Sequence, residues 1–114
     1  MDSILTSIKK LLGITEEYTH FDQDIIMHIN SVFSMLTQMG VGPESGFRIS
    51  DKNATWDEFV GDTIKIEMVK SYAYAKVRLM FDPPSNGSLT ESLNNIIREF
   101  EWRLNVECDD WKGL

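Results

Sequence analysis

The stretch Tyr72-Ala-Tyr-Ala-Lys-Val-Arg-Leu-Met-Phe-Asp-Pro-Pro84, followed at once by Ser85-Asn-Gly-Ser-Leu-Thr-Glu91, decides the fold, because it stops one helix and starts another with little slack. Pro83 disfavours the α conformation at Asp82 and Pro84 does the same to Pro83, so a helix running through Phe81 ends there. Ser88 and, three residues on, Glu91 have the form of a capping box, in which the Ser hydroxyl and the Glu carboxylate satisfy free backbone N–H groups at a helix start. The turn between them is short. Two long helices, over residues 62–81 and 89–106, are therefore expected to pack as an antiparallel hairpin.

Upstream, residues 3–12 read as a first helix with Ser3 as N-cap and Gly13 as the stop. Ile4, Ile8, Leu11 and Leu12 share one face at the 3.6-residue period, and Lys9 and Lys10 are expected to point away. A second helix is expected from Phe21 or Asp22 to Met39, ended by Gly40. Phe21, Ile25, Ile29, Val32, Leu36 and Met39 form its core stripe, widened by Ile26 and Phe33. Asp22 and Asp24 oppose the positive end of its dipole, which stabilises by a few tenths to about 1 kcal/mol.

Residues 40–61 hold four glycines and Pro43 with little helical periodicity, a length that tends to mark a functional or mobile connection. Phe47-Arg48-Ile49 reads as a short extended piece. Thr55 with Glu58 is a second capping-box pattern, so residues 56–60 are expected to form one helical turn that drops Trp56 and Phe59 onto the core as a lid. In the last helix Leu89, Leu93, Ile96, Ile97, Phe100 and Leu104 fall within about a quarter of the circumference, with Trp102 on the opposite side. Residues 107–114 read as a tail. The expectation is one mainly α domain over 1–114: a small four-helix bundle with a C-terminal helical hairpin and a long loop between its second and third long helices.

The formal net charge is −7, from 18 acids against 11 bases. That opposes nucleic-acid binding, which rests largely on Lys and Arg neutralising phosphates; the ordinary reading is that mild acidity simply keeps a cytosolic protein soluble, although it would also suit a wall past which DNA slides without being gripped. The single cysteine, Cys108, has no partner for an internal disulfide, and no leader or membrane-spanning apolar run is evident, so a protein kept in the cytosol is expected. Asn53-Ala-Thr55 and Asn86-Gly-Ser88 fit the glycosylation sequon but read as turn chemistry.

No constellation supports catalysis, a metal or a cofactor. His20 and His28 are not spaced as metal ligands, and His28 falls at the edge of the second helix's apolar stripe. Asp51-Lys-Asn-Ala-Thr55 begins like an EF-hand loop, but Trp56 stands at the sixth position, which needs Gly, and Asp62 at the twelfth. Cys108 sits beside Asp109 and Asp110, the reverse of what a reactive thiolate needs. Aromatic and cationic residues remain. Trp102, Trp111, Phe47 and Trp56, with Arg78, Arg98 and Arg103, are the candidate contacts to other subunits or partners, because aromatic and Arg anchors dominate many interfaces. The bland account of the arginines is solvated helix faces with weak pairs such as Arg98 with Glu101, and that of the aromatics is packing under the long loop.

The run Lys76-Val-Arg-Leu-Met-Phe-Asp-Pro-Pro84, followed by a helix ending Glu99-Phe-Glu-Trp-Arg-Leu104, resembles the small head–tail connector proteins of tailed double-stranded DNA phages, also described as DNA-packaging or head-completion proteins. The opening amphipathic helix, the helix end over residues 30–42 and the chain length fit the same resemblance. It implies a structural protein of the virion neck, made in the bacterial cytoplasm, that forms a ring with copies of itself beneath the portal protein. Such a ring extends the DNA channel and receives the next neck or tail component, with no cofactor, membrane or sequence-specific nucleic acid among its partners. A small cytosolic helical regulator or protein-interaction module is the competing reading, and a DNA-binding version of it is opposed by the acidity and the lack of a basic recognition helix.

Overall fold

A computed structural model of the chain describes residues 3–60 and 66–111, with residues 104–111 described by their backbone alone. Its helices are α1 (Ile4–Leu11), α2 (Asp22–Gln38), α3 (Trp56–Val60), α4 (Ile66–Phe81) and α5 (Gly87–Trp111). The protein is mainly α, as its periodicity predicts. Among the described residues β pairing is confined to one isolated antiparallel bridge between Ser3 and Thr55.

α2 organises the core. Ile25, Ile26, Ile29, Val32, Phe33 and Leu36 are its buried positions, and both α1 and α4 pack against it, while α5 packs against α4. The helix ends at Met39 because Gly40 takes φ +90°, a conformation costly for any residue with a Cβ. That turn lets the Val41 N–H reach back to the Leu36 carbonyl at 2.9 Å, closing a Schellman motif over two fully buried side chains. α1 starts on Ser3, whose hydroxyl accepts from the Thr6 N–H at 3.2 Å as expected of an N-cap.

The lid expected at residues 56–60 is present as α3. The Glu58 carboxylate accepts from the Thr55 N–H at 2.7 Å, one half of the capping box. Trp56 is 1 % exposed and Phe59 is buried, stacked on Phe33 at 4.4 Å between ring centroids. Burying two such rings contributes roughly 3–6 kcal/mol of transfer free energy. The Trp56 Nε1 donates to Ser7 Oγ at 2.8 Å and the Ile4 N–H donates to the Ala54 carbonyl at 3.0 Å, so α1 is tied to the segment entering α3.

Five expectations need correction. Lys9 does not point away. It is 2 % exposed, and its ammonium donates to the carbonyls of Tyr18 at 2.8 Å and Glu16 at 3.0 Å while pairing with Asp22 Oδ1 at 2.8 Å. Leu11, placed on the core face by periodicity, is exposed, because α1 docks with Ile4, Leu5 and Ile8 inward. Residues 47–49 form no strand. Asn30 on α2 takes the place of a neighbouring strand, its Oδ1 accepting from the Ile49 N–H at 2.8 Å and its Nδ2 donating to the Ile49 carbonyl at 2.9 Å. Finally, α5 is capped by Asn86 rather than Ser88: the Asn86 Oδ1 accepts from the Ser88 and Leu89 N–H groups at 2.8 and 3.3 Å, and the helix begins two residues earlier than the capping box implies. α5 also continues to Trp111, so residues 107–111 are helix and not tail. The expected start of the third long helix at 62–65 lies outside the described residues.

Candidate functional site

The hairpin of α4 and α5 is fastened by a polar contact in its interface. Tyr72 is fully buried, and its hydroxyl donates to Glu101 Oε2 at 2.9 Å, with Lys76 Nζ 4.0 Å from the same carboxylate oxygen. Burial, then the hydrogen bond to Glu101 and its negative charge, raise the Tyr72 phenol well above the ordinary tyrosine range. Glu101 therefore faces α4 and does not pair with Arg98, whose guanidinium instead donates to Asn95 Oδ1. Arg103 pairs with Glu99 at 2.9 Å, one turn away on the exposed side of α5.

The other candidates divide sharply. Trp102 is 68 % exposed on the side of α5 turned away from the buried Leu93 and Ile97. Trp56 is a core residue in this subunit, held by Ser7 and packed edge-on against Phe33. Phe47 is half-buried between Phe33 and Phe59. Arg78 serves the hairpin turn, its Nε donating to the Asp82 carbonyl at 2.7 Å and its Nη1 to the Tyr74 hydroxyl at 3.2 Å. The Trp111 side chain lies outside the described residues. Among the candidates whose side chains are described, Arg98, Trp102 and Arg103 share a surface on the outer side of α5, while Phe47, Trp56 and Arg78 lie elsewhere.

Sequence reading missed a groove of about 940 Å³ on the outer side of α2. Its walls are Met27, Asn30, Ser31, Ser34 and Gln38 from the helix and residues 45–50, with Phe47 and Arg48 among them. The two hydrogen bonds from Asn30 to Ile49 fix the distance between these walls. One signal in the sequence could have found it: no Asp, Glu, Lys or Arg occurs between Asp24 and Glu44.

Among the described residues no group of three His, Cys, Asp or Glu could hold a metal ion, and no helix is long and apolar enough to cross a membrane. His28 lies at the core edge beside Phe81, 6.3 Å between ring centroids, and His20 packs edge-on against Phe21 at 4.8 Å. The family model described as phage connector protein matches residues 4–110, and the chain belongs to that family. Membership gives it a structural role at the phage neck. No curated protein and no solved structure matches the chain.

Proposed function

We propose that the protein assembles as a ring of identical subunits beneath the portal at the capsid vertex, where it extends the DNA channel and joins the head to the next neck or tail component. The observation that carries this reading is the connector-family match across residues 4–110. The exposed Trp102 supports it, since a ring is built by protein contacts in which no bond is made or broken. The net charge of −7 suits a channel wall that repels the phosphate backbone and lets DNA slide. Partners are copies of the chain, the portal and the following neck or tail component; DNA passes without sequence-specific contact, and the site of action is the virion neck after synthesis in the host cytoplasm.

The test is assembly. Purified protein, alone and mixed with portal particles, is examined by sedimentation and electron microscopy. Rings with an open centre, stacked coaxially on the portal, are the expected result. A subunit that stays monomeric with and without portal refutes the reading.

A further inference from the structure

A quarter of this chain is charged, yet Ile25 through Pro43 carries no Asp, Glu, Lys or Arg. Six residues of that run form the buried stripe of α2, where absence of charge is ordinary. Four others are exposed on the surface. Met27, Ser31, Ser34 and Gln38 are exposed at spacings of four, three and four residues, which align them along one side of the helix. Met27 is 59 % exposed. This stripe is the α2 wall of the groove described above, and Arg48 is the one charged residue lining it among the described residues.

A subunit of net charge −7 repels its own copies, so a contact between copies costs least where acids are absent. Interface centres are depleted in charge and enriched in aromatic residues, Met and Arg, and Met27, Phe47 and Arg48 supply that composition on the groove side. On α5, Trp102 supplies a large exposed ring, and Glu99, one turn away on that helix and 2.9 Å from Arg103, is the acid that would turn from Arg103 to meet Arg48. Among the described residues none from α4 or α5 lines the groove, and Trp102 is not in it, so a subunit does not fill its groove with its own Trp102. We infer that the groove between the outer stripe of α2 and residues 45–50 receives the Trp102 face of α5 from a second copy of this chain. The two halves of this contact are different surfaces, which is the heterologous arrangement that closes into a ring. The inference rests on the ring reading and names the surfaces that would build it.

Two surface variants test it. Ser34→Arg places a long cation in the groove, and Trp102→Ala removes the ring that enters it; both positions are exposed, and thermal melts followed by circular dichroism verify that each variant folds. Each alone is expected to lose assembly, with the contact weakened about 30-fold or more, the loss typical of a central aromatic anchor. Mixed together, they are expected to pair and stop as a dimer, because the Trp102→Ala subunit keeps an open groove and the Ser34→Arg subunit keeps its tryptophan. Native mass spectrometry after chemical cross-linking reads the pair. Rings formed by either variant alone, or failure of the mixture to pair, overturn the assignment while the ring reading stands. Wild-type protein that never assembles overturns the ring reading itself. A Ser34→Arg ring that forms normally but no longer holds the portal gives the groove to a different protein and also overturns the proposal.

Discussion

Replacing Lys9 with methionine keeps most of the aliphatic stem in place and removes only the charge and its donors, which makes it a direct measure of the polar clamp between α1 and α2. The Lys9 side chain is 3 % exposed, and its ammonium serves three acceptors: the carbonyls of Glu16 and Tyr18, and Asp22 Oδ1. Removing one partner of a buried ion pair typically costs about 3–5 kcal/mol, because the other charge stays desolvated. Asp22 keeps 22 % of its side chain in solvent, and the two carbonyls lie at a surface turn, so the low end applies. The expected loss is about 3 kcal/mol, a large part of the roughly 5–15 kcal/mol that holds most domains together. For a chain of this size that corresponds to a melting temperature lower by roughly 10–15 °C. Urea unfolding followed by far-UV circular dichroism measures it. Adding Asp22→Asn should recover part of the loss, since the double variant no longer buries an unpaired charge. A Lys9→Met cost below about 1 kcal/mol, with the two substitutions merely additive, would refute the reasoning and mark Lys9 as a tethered surface residue.

Three further outcomes are expected. Gly42→Ala puts a Cβ 2.5 Å from Phe59 Cε1 at a position with φ +86°, so it should destabilise by about 2 kcal/mol or more and loosen the contact of residues 40–42 with α3, read by urea unfolding and by hydrogen exchange; an unchanged urea midpoint contradicts this. Tyr72 has its folded pKa raised by burial and Glu101, so its contribution is complete below the unfolded value of about 10 and is lost as pH rises beyond it. Wild type should therefore weaken steeply above that pH while Tyr72→Phe weakens less, and equal alkaline slopes for the two would exclude Tyr72 as the cause. Fluorescence anisotropy should detect no appreciable affinity for duplex DNA at physiological salt, given the net charge of −7; micromolar binding that fades steeply with added salt would expose a basic surface and favour the regulator.

The hairpin, the α2 stripe, the Ser3 cap and the Trp56–Phe59 lid were all legible, because each is set by local punctuation or by a repeating apolar period. Lys9 was not. A lysine beside a second lysine reads as solvated, and only the fold brings Asp22 and two turn carbonyls around it. At the start of α5 two overlapping signals competed, and the Asn86 side chain captured the helix N–H groups before Ser88 was reached. The helical course of residues 107–111 was hidden by Glu107, Asp109 and Asp110, which disfavour a helix C-terminus electrostatically but do not break it; the nearest glycine or proline is Gly113. Of the candidate surface residues Trp102 was legible from its angle on the helix, whereas the groove depends on how residues 45–50 return to α2.

The attachment of α1 has a bearing on how the chain folds during synthesis. Its anchors, the Ala54 carbonyl that receives the Ile4 N–H and the Trp56 indole that donates to Ser7, come about fifty residues later in the chain. At roughly 5–20 residues per second, the ribosome delivers them some 3–10 s after α1 is made. Throughout that interval the segment entering α3 is not yet there to hold Ile4, Leu5 and Ile8 in place, and the nascent chain presents an amphipathic segment before it presents a fold.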